Sequence, residues 1–305
     1  MTRGSNPRTM PLSGNLRSIA FMLCTVAMFS CMDAMLKVLS GAYPPAQVTG
    51  MRGWASMPLV CLYIAWRGEF HLVFNARLRW RLHLLRALFG IMTMVLFVAG
   101  LKTMGLAEAY TLTFVSPMVI TLLAAPMLQE RVLPRHWFAI VAGLVGVVVA
   151  LRPNHSGFLT VGALAVLAAA VTYATGSVLG RMISRTDPAV SLVFWSTASL
   201  AVGGSLLNWG QWVAVQPEHW LLLLGIAITG FVAQVAISEA FRHGQASAVA
   251  PFEYSALAWA IALDWLFWHA VPDIYTLAGA SIIIASGIYL IRREAPGRVP
   301  VVLPP

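Results

Sequence analysis

The sequence predicts an all-α membrane protein of ten transmembrane helices, and three observations carry that prediction. Hydrophobic residues make up 59 % of the 305-residue chain and charged residues only 10 %, where an ordinary soluble domain carries about 25 % charged residues. Apolar windows of about 20 residues, long enough as helices to cross about 30 Å of hydrocarbon, recur along the whole chain. The Lys and Arg residues sort to one side of those windows. The windows lack the alternating polarity of barrel strands and exceed the roughly 10 residues such strands use, so helices must satisfy the backbone in lipid.

The spans fall at 18–40, 46–66, 86–104, 107–128, 136–151, 158–180, 188–208, 218–241, 246–268 and 273–291. The first follows Arg3, Arg8 and Arg17 and resembles a secretory signal in outline. It contains Asp33 and Lys37 and has no convincing small-residue cleavage site, so it reads as a retained helix. Span 2 follows YPPAQ (43–47) and holds Arg52; span 3 follows the basic run Arg77, Arg79, Arg81 and Arg86. Span 4 begins AEAYTLTFVSP (107–117) and span 5 lies between Arg135 and Arg152. Span 6 ends in GSVLG (176–180), a small-residue pattern suited to close helix contact, as are Ala139 and Gly143 of span 5. Span 7 follows DPAV (187–190). Span 8 runs towards Glu239 and Arg242, span 9 opens on Pro251, and span 10 ends at Arg292 and Arg293.

The formal charge of +9 is topological rather than a nucleic-acid footprint. With the N-terminus inside, only Lys37, Lys102 and Arg152 of the 20 Lys and Arg lie at outer ends, Arg52 lies within a span, and the others gather at inner ends. Both termini are then cytoplasmic. Trp209, Trp212, Trp220, Trp265 and Trp268 collect at outer ends and Trp66, Trp80 and Trp137 at inner ones, as indoles favour the water boundary. Cys24, Cys31 and Cys61 lie in spans without metal-ligand spacing and read as packing residues.

One half repeats the other. Residues 107–132 lie beside 246–271, matching Ala107 with Ala246, Ala109 with Ala248, Ser116 with Ser255 and Val132 with Val271; 29–37 faces 173–181, and YPPAQ faces DPAV. The division is 1–152 and 153–305, five spans each. Five is odd, so the second unit enters the membrane from the opposite side, a construction secondary transporters use with substrate bound near mid-membrane. The alternative is duplication that only made a stable bundle.

A charge in hydrocarbon costs about 2.5 to 3.5 kcal/mol on insertion scales, so each one needs a partner or water. Asp33, Lys37, Arg52 and Glu108 belong to outer halves of spans; Arg181, Glu239, Arg242 and Glu253 belong to inner ones. These groups are expected to be two gates, or else static pairs that permit burial. Asp33 and Lys37, four apart, can touch on one helix face. Pro251 disfavours continuous helix at the start of span 9 and frees backbone beside Glu253 and Tyr254. Tyr110 and Phe114, followed by Ser116 and Pro117, occupy the matching region of span 4. Gln234 and Trp259 complete the expected cavity lining, although any one of these aromatics could instead face lipid or pack between helices. Asp264, among Trp265 and Trp268, is expected at the water boundary.

No G-x-x-x-x-G-K phosphate loop occurs, so ATP-driven pumping has no engine here. The seven His are scattered without metal-site spacing and no nucleophile elbow is present, so neither an enzyme nor a cofactor or metal is expected.

The runs 240–273, 101–137 and 33–53 resemble EamA-domain proteins of the drug/metabolite transporter superfamily, over nearly the whole chain. The resemblance implies a ten-helix bacterial inner-membrane carrier whose cavity is built from helices 1, 3, 4, 6, 8 and 9. It also implies an acid after helix 4, present as Glu130, whose counterpart after helix 9 is His269. The expected function is alternating-access transport of a small organic metabolite. Amino acid efflux is favoured, because Asp33 or Glu253 with Arg52 matches a zwitterion. Uptake of a riboflavin- or S-adenosylmethionine-like metabolite is the alternative, and a non-transporting membrane scaffold or receptor is the reading from another class. The expected partners are the substrate, the lipid bilayer and, through Glu253, protons; no nucleic acid is expected, and the protein is expected as a monomer or weak dimer.

Overall fold

The structure is a computed structural model and describes residues 12–74, 78–128, 134–151, 160–243 and 250–294. Among these every regular element is a helix. They are α1 (Leu12–Ala42), α2 (Pro45–Trp66), the single turn α3 (Phe70–Val73), α4 (Trp80–Leu101), α5 (Leu106–Thr113), α6 (Ser116–Leu128), α7 (Pro134–Leu151), α8 (Val161–Ser184), α9 (Ala189–Leu207), α10 (Trp220–His243), α11 (Ala256–Trp268) and α12 (Ile274–Glu294). Short 3-10 turns at Pro217–His219 and Ala250–Ser255 lead into α10 and α11. Six described stretches are long and apolar enough to cross a membrane, and Val141–Ala150 and Ile274–Tyr289 are shorter apolar helices. Many large apolar side chains face outward, including Leu62, Leu84, Leu206, Leu221 and Phe267. A lipid-facing surface requires this, and a soluble one forbids patches so extensive.

Sequence window and helix differ at α4, which starts at Trp80 rather than 86. A window sees only the apolar stretch, whereas the helix carries its backbone bonding on through Arg81, His83 and Arg86. Spans 4 and 9 are not continuous helices. Pro117 has no N–H to give the Thr113 carbonyl; the Ser116 hydroxyl donates to that carbonyl instead, and α5 stops before α6 begins. In the second case the Ser255 hydroxyl donates to Phe252 O at 2.7 Å, closing the 3-10 turn that contains Pro251. Two breaks thus use the same repair, a serine serving the carbonyl three residues back.

The helices pack in recurring pairs: α1 on α10, α4 on α8, α2 on α9, α7 on α12, and α5 on α11. The α2–α9 crossing is the tightest by backbone. A methyl at Gly53 would collide with the backbone of Ala201, and one at Gly204 with that of Gly50. Small residues let helices approach to backbone contact. Gly176 and Gly180 of α8 do something else: no helix backbone abuts them, and Gly180 leaves space that the Arg86 side chain fills.

The bundle has two ends. One carries the α1–α2 turn and the other the α2–α4 connection. Trp209, Trp212, Trp220 and Trp265 are exposed near the first end, and Trp66, Trp80 and Trp137 near the second.

Candidate functional site

A cavity of about 610 Å³ enters from the α2–α4 end. It meets the surface at the exposed Arg67 and the neighbouring Glu69 and follows α2 to Arg52, fifteen residues or about 22 Å of helix rise. Its walls come from α1, α2, α4, α9 and α10, with Phe29, Tyr63, Phe231, Gln234 and Glu239 among the lining residues. That volume falls in the range of about 300 to 1,000 Å³ used for small organic ligands.

The cavity stops below the α1–α2 end, which buried contacts close among the described residues. Lys37 Nζ donates to Asp264 Oδ1 at 2.7 Å, with side chains only 11 % and 3 % exposed. The same ammonium lies 4.1 Å from the Trp268 ring centre, a cation–π contact. Asp264 Oδ2 accepts the Ala107 N–H at 2.9 Å, so an α11 carboxylate caps the start of α5, whose own Gly105 supplies no side-chain cap. A carboxylate suits that position because the first N–H groups of a helix are unsatisfied and carry partial positive charge. Asp264 therefore ties α1, α5 and α11 together, and its expected place at the water boundary is corrected: it is 2 % exposed.

Further polar contacts close the same end. Tyr43 shares a 2.8 Å hydrogen bond with His219 Nδ1 and accepts Gln216 N–H at 2.9 Å. Gln47, fully buried, donates to Val213 O and accepts from Val213 N–H and from Asn208. Each buried polar atom there has a partner, as burial demands.

Asp33 and Lys37 do not pair. Asp33 accepts the Tyr110 hydroxyl at 2.7 Å, while Lys37 turns to α11. Arg52 is near enough for its charge and that of Asp33 to act on each other without forming an ion pair, and its guanidinium otherwise donates to the Met94 sulfur. Asp33, Tyr110 and Arg52 join α1, α5 and α2 just above the closed end of the cavity.

Of the expected cavity residues, Arg52 and Gln234 line the cavity, together with Glu239 of the expected gates. Asp33, Tyr110, Phe114, Glu253, Tyr254 and Trp259 do not. Phe114 and Tyr254 meet edge to face at 5.3 Å between the two helix breaks, and the Tyr254 hydroxyl lies against Gly287 of α12. Trp259 is 41 % exposed on α11, and Glu108 and Arg181 are also exposed. Glu253 is exposed at the α2–α4 end. The Arg242 side chain and Glu130 lie outside the described residues. Spans 1, 3 and 8 line the cavity as expected, but α2 and α9 take the places expected of spans 4, 6 and 9.

Two residues were missed. Arg86 of α4, counted only as an inner-end charge, lines the cavity, and Tyr173 of α8 stands within electrostatic reach of both Arg86 and Glu253. A third group, Asp187, anchors the α8–α9 turn to the start of α4, accepting from Arg79 N–H and His83 Nε2, each at 3.0 Å. Burial by itself would raise the Asp187 carboxyl, but hydrogen bonds from Thr186, the Arg79 amide and His83 together hold it below its ordinary range.

The fold and cavity define a multi-pass helical membrane protein with a chamber open at one end. The chain belongs to the EamA-like transporter family, whose model matches it twice, over residues 16–152 and 160–293. It is similar to the pseudopaline exporter CntI of Pseudomonas aeruginosa, with 30 % identity over 87 % of this chain and 93 % of that one. It is also similar to an S-adenosylmethionine uptake transporter of Rickettsia felis (25 % identity; 92 % and 94 % covered) and a riboflavin transporter of Rhizobium johnstonii (30 %; 70 % and 71 %). A crystal structure shares the fold with a TM-score of 0.61 at 22 % identity, covering 93 % of this chain and 99 % of the other. These relatives are transporters, not enzymes, and the protein is a multi-pass protein of the bacterial inner membrane.

Proposed function

We propose that this protein is a secondary transporter that carries a small organic metabolite by alternating access, with export of an amino-acid-type compound as the favoured direction and cargo. The observation that carries the reading is the asymmetry of the chamber. It is open at the α2–α4 end and sealed at the other by Lys37–Asp264, an ion pair between the two halves of the chain. The positive-inside rule assigns the open end and both termini to the cytoplasm, so cargo loads from inside.

The mechanism would use two inverted five-helix repeats, 1–152 and 153–305. Exchanging the halves turns the α1–α10 pair into α8–α4 and returns α2–α9, α5–α11 and α7–α12 to themselves, so the packing scheme survives the exchange. Tilting one unit against the other opens one end as it closes the other. The outer gate would comprise Lys37 with Asp264, backed by Asp33, Arg52 and Glu108; the inner gate would comprise Glu253, Arg181, Glu239 and Arg242, joined by Arg86 and Tyr173.

Thiol labelling tests the reading. With Cys24, Cys31 and Cys61 replaced by Ala, a cysteine at Ser56 in the chamber should react with an impermeant reagent from the cytoplasmic side and one at Leu39 should not. Equal reactivity from both sides would refute a one-sided chamber. Metabolite profiling of cells lacking and overproducing the protein identifies cargo and direction. Uptake is the second reading, favoured by the names of the Rickettsia and Rhizobium relatives. Proton coupling through Glu253 is tested by flux into proteoliposomes with and without a pH gradient; a Glu253→Gln variant as pH-sensitive as the parent removes Glu253 from that role.

A further inference from the structure

The chamber holds two arginines whose hydrogen-bonding capacity the protein leaves largely unused. A guanidinium offers five N–H donors in a planar fork and stays charged under all ordinary conditions. Arg86 makes no hydrogen bond to any described residue, and its Nε is buried without a partner. The nearby groups are the Tyr173 ring and the bare backbone at Gly180, neither of them an anion. Neither Glu69 nor Glu239 is within ion-pair distance of Arg86 among the described residues, and Glu69 is already held by Arg67 at 2.7 and 2.9 Å. Among the described residues Arg52, at the far end, is hydrogen-bonded to the Met94 sulfur, a weak acceptor, and the acid behind it has accepted the Tyr110 hydroxyl.

Arg86 Nε is a buried charged donor without an acceptor among the described residues, and leaving such a donor unmet costs more than leaving a neutral one unmet; both forks line the chamber and can take acceptors from outside the chain. Carboxylates complement the fork through two parallel N–H···O bonds. The Phe29, Tyr63 and Phe231 rings line the same cavity, Tyr63 and Phe231 meeting edge to face at 5.9 Å, a surface for an apolar body. We propose that the chamber is built for an organic anion with two separated acidic groups, one held by Arg52 and the other by Arg86. The inference rests on the transport reading and narrows its substrate class from a zwitterion to a diacid. Arg86 also selects among cargoes, because a monoacid leaves one fork empty.

The test uses full-length protein in lipid nanodiscs, followed by thermal unfolding against three probes of one length: pimelic acid, its monoamide and its diamide. Stabilisation should fall in that order. Arg86→Gln should weaken the apparent affinity for the diacid about tenfold, to that of the monoamide, and leave the monoamide unchanged. Arg86→Lys, which keeps the charge and loses the fork, should fall between. Equal response to the three probes, including no response to any, overturns the proposal, and so does an undiminished diacid preference in Arg86→Gln. The probe order in the unaltered protein decides the matter should the variants not fold. Recovery of the diacid preference by the paired exchange Arg86→Glu and Glu253→Arg would also overturn it, by making Arg86 a gate partner of Glu253. Protein that keeps the probe order yet moves no solute in proteoliposomes refutes the transport reading alone; transport without regard to charge number refutes the diacid alone.

Discussion

The two ends of the molecule are built from similar parts and are in opposite states. At each, a turn between consecutive helices is fastened to a histidine near the start of a helix from the other half: Tyr43 to His219 at one end, Asp187 to His83 at the other. Among the described residues, the α1–α2 end alone adds a buried Lys–carboxylate pair, in which Asp264 also caps α5 and Lys37 also stacks on Trp268. At the opposite end Tyr173 lies within electrostatic reach of Arg86 and of Glu253, no ion pair joins Arg86 to Glu253 among the described residues, and Arg67 and Glu69 pair in the open. The fastenings hold helices in register at both ends, whereas closure depends on whether charges from different helices meet away from water.

The most severe way to break this comparison is Asp264→Asn, which strands the Lys37 ammonium and weakens the cap on α5. Removing one partner of a buried pair costs about 3 to 5 kcal/mol. A large fall in unfolding temperature is expected, with new labelling of a cysteine at Leu39 from the periplasmic side. Replacing both partners, Lys37→Met with Asp264→Leu, should restore most of the stability while abolishing transport, because a permanently apolar seal has no reason to open. A stable Asp264→Asn protein with Leu39 still protected would mean that the pair does not close this end.

A smaller effect is expected of Tyr43→Phe. It leaves the Gln216 N–H without an acceptor at a loss of about 1 to 3 kcal/mol, read by thermal unfolding in nanodiscs. Asp187 sharpens the comparison through pH. Its folded carboxyl titrates below its unfolded value, so its stabilisation is complete above the ordinary carboxylate range near about pH 4 and is lost as pH falls through the lower folded value. Acid unfolding of Asp187→Asn should be flatter in that window than that of the parent; identical profiles would remove Asp187 as a fastening. Glu69→Gln, which breaks only an exposed pair, should leave the unfolding temperature unchanged within error. A clear loss would show that the open end is held by more than its histidine lock.

Much of the fold was legible because it depends on near neighbours. The helix breaks follow from Pro117 and Pro251, whose missing amides act within one turn, and the matched serines were visible as an aligned pair. The candidate site was legible only in part. Lys37 was paired with Asp33 by spacing, yet its partner lies 227 residues away. Asp264 read as a boundary residue because its sequence neighbours are indoles, whereas its two side-chain partners, Lys37 and the Ala107 amide, come from other helices. Arg86 looked like one more inner-end charge, since nothing in its own segment shows that Gly180 of α8 makes room for it. Trp259 read as a cavity residue because depth is legible and facing is not.

The sequence by itself determined an all-helical chain, long apolar helical stretches, the interruption at Pro251 and the polar groups that lipid alone would not tolerate. Those are properties of hydropathy and local hydrogen bonding, which act over a few residues. The tertiary structure decided which end is shut, which acid meets Lys37 and which arginines face the chamber. Such outcomes depend on which faces of distant helices are pressed together, and burial turns a charge into either a seal or a binding group according to what stands opposite it.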